Sequence, residues 1–251
     1  TIAKSVVDGS WAGIKLFNAS ADGVQRKIMY APDAVAEKYP PGVHGEYIFF
    51  GTGDRENPGD RTVVNRFYAV KNDWASTSVL TESDLVDVTA DLIQLGTAEQ
   101  QQQVKTNLTN GRGWYIRLES PGEKIVSSPR VYGGVVYFST YAPSETGGPD
   151  PDDPCASSTI RGVARLYALN YQTGASMHNF SSESETDNSG SPVSLGKKDR
   201  AIAIGTAIPS APVIAILGGG ARLFVGIEGG IAGLPAIATQ DMHRFYWNRN
   251  H

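Results

Sequence analysis

Two acidic stretches carry the residue types that could hold a cation. Asp54, Glu56, Asn57 and Asp60 follow Gly53 closely. Their oxygens could surround one hard ion, or offer a polar surface to a partner. The same residue types, with Pro58 and Gly59 among them, also build a solvated turn, and a turn is the expectation here. Asp150, Asp152 and Asp153 form the second stretch, interleaved with Pro151 and Pro154. No glutamate follows at the spacing a bidentate calcium ligand needs, so a loop tip is expected.

Other chemistry is sparse. Cys155 is the single cysteine, which rules out an internal disulfide and a multi-cysteine zinc site. It is read as an inert thiol, a reactive one, or one that pairs outside this chain. His44, His178, His243 and His251 show no metal-ligand spacing and most are expected at the surface, the last two flanking a final strand. No Gly-x-Ser-x-Gly elbow occurs, and Gly218-Gly-Gly220 lacks the Lys-Ser/Thr of a phosphate loop, so it reads as a hairpin turn. Arg66, Arg165 and Arg244 recur before an aromatic-Tyr or Leu-Tyr pair. They suggest structural ion pairs at one rim, or a basic ring. Trp74, Trp114, Tyr141 and Trp247 are candidates for a binding surface, against the plainer role of packing between sheets.

These residues need a scaffold, and the composition describes one. Hydrophobic residues make up 40% of 251, enough for a buried core. A net charge of −4 argues against a nucleic-acid partner held by bulk electrostatics. The apolar stretch 201–238 is broken by Pro209, Pro212 and Pro235 and carries Arg222 and Glu228, so no membrane span is expected. No basic-then-apolar leader is visible at Thr1. The expectation is a removed leader or a start inside a larger protein.

Three segments share one order of motifs. The first runs Ile28 to Val35, Tyr47-Ile-Phe-Phe-Gly-Thr-Gly53, then Arg66-Phe-Tyr-Ala-Val70. The second runs Ile125 to Val131, Gly133 to Thr140, then Arg165-Leu-Tyr-Ala-Leu169. The third runs Ile208 to Ile214, Gly218 to Gly226, then Arg244-Phe-Tyr-Trp247. Aromatic and β-branched runs between glycine turns read as short antiparallel strands. Fourth strands are expected at Trp11–Phe17, Trp114–Leu118 and Ala175–Phe180. Gly51, Gly53, Gly205 and Gly226 would let strands crowd. Thr81 to Gln103 reads as helical, capped by Thr81 or Ser83 and split at Gly96.

The predicted fold is therefore all-β and β-propeller-like, one domain over 1–251 with about three to four four-stranded blades. Insertions are expected at about 81–111 and 142–162. Closed propellers usually have four to eight blades. The chain is accordingly read as the C-terminal portion of a larger propeller.

Five strings in order carry a family resemblance: Phe49-Phe-Gly-Thr-Gly-Asp54-Arg-Glu-Asn-Pro58, Asn65-Arg-Phe-Tyr-Ala-Val-Lys71, Leu80 to Thr89, Gly113-Trp-Tyr-Ile-Arg-Leu118 and Arg165 to Gly174. Over about Trp11 to Trp247 the chain resembles the C-terminal propeller of the PilY family, bacterial type IV pilus assembly and tip-associated adhesin proteins. The resemblance implies a non-enzymatic extracellular or cell-surface protein that passes through the periplasm. Its partners would be pilins or minor pilins, other segments of the same parent protein, and a surface or host receptor. Loops at 81–111, 142–162 and 181–200 would carry the contacts. The family's calcium loop is not evident, so no cofactor or metal ligand is assigned. Two alternatives stand beside this reading. Tyr167 to Gly174 is similar to strands of quinoprotein dehydrogenases, and a structural subunit of extracellular filaments would use the same scaffold.

Overall fold

The computed structural model describes residues 2–4, 12–38, 44–73, 76, 78–144, 162–181, 183–218 and 220–236. Its frame is three antiparallel sheets in chain order. In the first, Asp33–Lys38, His44–Gly51, Arg66–Asp73 and Gly113–Arg117 lie side by side, and Val86–Asp87 adds in parallel to the last. In the second, Gly162–Asn170 lies between Val135–Pro143 and Ala201–Gly205, with Lys124–Ile125 and Arg130–Tyr132 on the far edge of Val135–Pro143. The third is a meander of Val213–Leu217, Gly220–Ile227 and Gly230–Pro235.

Side chains alternate across a strand, and here both faces are covered. In the first sheet Tyr47, Phe49, Phe67, Ala69, Trp114 and Ile116 meet Ile125, Val136, Phe138 and Leu169 of the second. Ile48, Phe50, Tyr68, Val70 and Tyr115 point the other way and are covered by Leu16, Phe17, Ala19, Leu80 and Leu85. The second sheet's opposite face, through Val135, Tyr137, Leu166 and Ala168, meets Leu223 and Val225 of the third. That is why strands such as Tyr47-Ile-Phe-Phe50 are continuously apolar rather than alternating. The sheets stack in sequence, as blades of a propeller do. Phe67 and Phe138 stack across the first seam, centroids 3.9 Å apart and planes 9° from parallel.

The close approach depends on two glycines. A Cβ on Gly51 would stand 2.1 Å from Ile125 Cδ1, and one on Gly53 would stand 2.7 Å from Lys124 Cβ. Gly205 differs from the expectation of crowding: its nearest neighbour, Ile227, would lie 3.7 Å from a Cβ, an ordinary contact.

The insertion after residue 81 is a 3-10 turn at Glu82–Asp84, a short helix Leu92–Leu95 and a longer helix Ala98–Asn110. Gly96 does end the first helix, Thr81 stands at the N-cap of the 3-10 turn, and Thr97 caps the second helix in a capping box with Gln100. Val88 and Leu108 plug the seam between the first two sheets.

Three strand expectations need correction. The segment Trp11–Phe17 adds no strand to the first sheet: its Ala12–Ile14 pairs with Ile2–Lys4 in a separate two-stranded sheet. The fourth strand of the second sheet is Ala201–Gly205, not Ala175–Phe180. That segment pairs only briefly, through the Ser176–Leu169 bridge with Asn170 N donating to Ala175 O and Met177 N to Ala168 O, before His178 and Phe180 turn onto the apolar surface around Tyr137. In the third sheet the strand next to Gly220–Ile227 on its far side is Gly230–Pro235. Arg244–Trp247 lies outside the described residues. The expected insertion at 142–162 begins later and ends earlier, since Ala142, Pro143 and Gly162 are paired strand residues. Among the described residues no helix is long and apolar enough to cross a membrane.

Candidate functional site

Residues two apart on a strand share a face, so the Arg-x-Tyr motif sends both side chains to one place. In the first sheet that place holds Glu82. Arg66 Nε lies 3.2 Å from Glu82 Oε1, and the Tyr68 hydroxyl donates to the same oxygen at 2.6 Å. In the second sheet it holds Glu123. Arg165 Nη1 lies 3.3 Å from Oε2, while Tyr167 at 3.1 Å and Thr140 at 2.6 Å donate to Oε1. The two triads are equivalent: Phe67 and Ala69 face the next sheet, as do Leu166 and Ala168. Burial and the adjacent carboxylate hold both phenols well above their ordinary pKa, so each remains a protonated donor.

The triads differ in what lies over them. Arg26 closes the first. Its guanidinium approaches Glu82 at 3.8 Å and donates to Ala19 O at 2.9 Å and Asp22 Oδ2 at 2.7 Å. The second opens on a cavity of about 200 Å³ at the seam of the first two sheets, lined by Glu123, Arg165 and Tyr167 together with Thr89, Arg117, Glu119, Lys197, Lys198 and Arg200.

Arg200 reaches this cavity from the 3-10 turn Lys197–Arg200, which leads into the strand Ala201–Gly205. It ties the second sheet to the helical insertion, donating to Thr89 O at 3.0 Å, Val88 O at 2.8 Å and Asp91 Oδ1 at 3.1 Å. Asp91 is fully buried with φ at +56°, a left-handed conformation unusual outside glycine. Burial pushes its carboxyl up to about 6, against the opposing pull of Arg200. Lys197 pairs with Glu119 at 2.7 Å; Lys198 pairs with Glu183 and Arg117 with Asp87. Arg165 Nη1, Arg200 Nε and Asp91 Oδ2 have no hydrogen-bond partner among the described residues. The two arginine atoms are donors, and Asp91 Oδ2 is an acceptor on the Arg200–Asp91 pair.

The sequence-expected candidates fall elsewhere. Asp54 pairs with Lys27 at 2.8 Å, which keeps its carboxyl low, and Glu56 lies 3.4 Å from the same lysine. Asn57 leans on Asp54, and Asp60 caps its own turn through Thr62. These carboxylates therefore serve a turn. Among the described residues no group of three or more His, Cys, Asp or Glu is placed to hold a metal. His178 is buried, stacked on Phe180 at 4.9 Å, and burial lowers its pKa. His44 begins a strand. Trp114 and Tyr141 are buried in the packing, and Trp114 Nε1 donates to Tyr171 O at 3.0 Å. The strands Val213–Leu217 and Gly220–Ile227 form the expected hairpin around Gly218. Asp150, Asp152, Asp153, Cys155, His243, His251, Arg244, Trp74 and Trp247 lie outside the described residues.

Sequence reasoning singled out Arg66 and Arg165 but missed their partners. Glu82 reads locally as a helix-start residue, and Glu123 and Arg200 belong to no motif. The shared Arg-x-Tyr spacing was the available signal, since a buried arginine and phenol both require an acceptor.

Among known proteins, neither a family model nor a curated protein matches the chain. Among solved structures, the fold is similar to the crystal structure of the Pseudomonas aeruginosa PilY1 C-terminal domain. The TM-score is 0.51 at 15% identity, over 86% of this chain and 46% of that one. The chain thus spans less than half of the structure it matches. The resemblance carried by the five strings and the likeness carried by the stacked sheets meet on one point: this chain is similar to the C-terminal domain of a PilY-type protein.

Proposed function

We propose that this chain is a portion of a larger propeller that serves type IV pilus biogenesis or pilus-tip adhesion, acting by contact rather than catalysis, outside the cytoplasm. The observation that carries the reading is the likeness in fold to the PilY1 C-terminal domain. The three stacked sheets are then consecutive blades, and the helical insertion and the segment 181–200 are its contact surfaces. Loops on a rigid scaffold commonly carry recognition. Pilins or minor pilins are the partners proposed, with a surface or host receptor second.

The test is deletion of the encoding gene in its source organism, followed by sheared-pilus quantitation and capture of pilins on the tagged protein. Loss of surface pili, with minor pilins retained on the bait, supports the reading. Normal piliation with no pilin captured would overturn it.

A further inference from the structure

We propose that the cavity between the first two sheets is a carboxylate-binding site. Two observations point to it independently. The first is an imbalance in the lining: five cations, Arg117, Arg165, Lys197, Lys198 and Arg200, stand against two carboxylates, Glu119 and Glu123. The further acids that pair with these cations, Asp87, Asp91 and Glu183, are not among the lining residues. The second is a buried donor without an acceptor. Arg200 Nε is a buried atom lacking a hydrogen bond among the described residues, and Arg200 is only 4% exposed, while Arg165 Nη1 is held by Glu123 only as an ion pair at 3.3 Å. Leaving a buried donor unpaired is unfavourable, and more so for a charged group. Such a group calls for an occupant.

The first sheet supplies the template. There Glu82 accepts from Arg66 and Tyr68 with Arg26 close by, so a carboxylate between guanidinium groups is a binding mode this scaffold already uses. In the second sheet no described residue repeats Arg26 over Glu123, and Arg200 lines the open space instead. Guanidinium donors match the planar, two-oxygen geometry of a carboxylate. A volume of about 200 Å³ falls below the range that encloses a drug-sized ligand, so the site takes an acid group or a small acid. The rim pairs Lys197–Glu119, partly exposed, and Lys198–Glu183, mostly exposed, exchange partners cheaply. A small dicarboxylate and an acidic side chain of a partner protein bring the same chemistry. The proposal is independent of the pilus reading.

The experiment is a succinate titration of the purified chain at pH 7.5 and constant ionic strength. It follows the arginine Nε–H resonances by NMR and the thermal midpoint. Expected are a saturable shift of the Arg200 Nε resonance and a midpoint that rises with succinate, neither reproduced by chloride. Arg165→Gln should weaken succinate binding about tenfold, the equivalent of one charge-assisted hydrogen bond. Should that variant fail to fold, Lys197→Gln at the exposed rim should weaken binding by a few fold. A second arm adds the blocked peptide Glu-Glu-amide. Displacement of succinate by the peptide assigns the site to a partner's acidic side chain, and succinate binding alone assigns it to a small acid. An unmoved Arg200 resonance in the wild-type chain, or equal responses to succinate and chloride, would overturn the proposal and leave ordered water as the occupant.

Discussion

The hydroxyl of Tyr68 donates to Glu82 at 2.6 Å, and Arg66, two residues earlier on the same strand, holds that same carboxylate. Tyr167 and Arg165 repeat the relationship around Glu123. Each triad binds a strand to a segment distant in sequence and neutralises an arginine at a sheet face. Tyr68→Phe should therefore cost about 1–2 kcal/mol, the worth of a hydrogen bond to a charged group. Glu82→Ala should cost more, about 3 kcal/mol, because it leaves the mostly buried Arg26 and Arg66 without their shared acceptor. Urea denaturation midpoints check both. Equal, negligible losses would show the triad to be incidental.

Gly51 is the tightest contact between the first two sheets. Gly51→Ala places a methyl 2.1 Å from Ile125 Cδ1 and should destabilise by about 1–3 kcal/mol. Ile125→Val in the same chain should recover part of the loss. Gly218→Ala is the control, since a Cβ there meets nothing within 4 Å and the backbone is not left-handed. Thermal unfolding of the four proteins distinguishes crowding from a general intolerance of glycine replacement.

Asp91 gives the chain a measurable pH signature. Its folded-state pKa is about 6, above its ordinary value of 3.8. A raised pKa means the folded chain holds a proton that the unfolded chain has released, so stability from this group is present below about pH 4 and lost as pH rises through 6. The difference in unfolding free energy, wild type minus Asp91→Asn, should fall between pH 4 and 6 and be level above 7. Denaturant series at several pH values measure it. A flat difference would mean that Arg200 holds the carboxylate ionised throughout.

Phe67 and Phe138 report on sheet stacking directly. A double-mutant cycle with Phe67→Leu and Phe138→Leu should give a coupling of about 0.5–1.5 kcal/mol, the usual worth of an aromatic pair beyond its buried area. Additive losses would show that the seam is held by area alone.

Much of this architecture is local and so was legible along the chain. Strands such as Arg66–Asp73 are marked by aromatic and β-branched residues between glycine turns. The helix break at Gly96 and the hairpin at Gly218 follow from backbone preference over a few residues. The Arg-x-Tyr repeat announced that something recurs, because a strand sends alternate residues to one face whatever the rest of the protein does.

The partners of those residues were decided only in three dimensions. Glu82, Glu123 and Arg200 come from an insertion, a short edge strand's approach and a 3-10 turn, at separations along the chain that no period encodes. The fourth strand of the second sheet was misplaced for the same reason: Ala175–Phe180 has a strand's composition, but the seam beside Tyr137 needed its side chains. The acidic stretch after Gly53 reads as a turn in the sequence and is one, but Lys27, which neutralises it, lies outside the motif. Local preference is a sum over neighbours in the chain. A cavity lined by charges from several segments exists only where separate elements meet, and there tertiary packing decides.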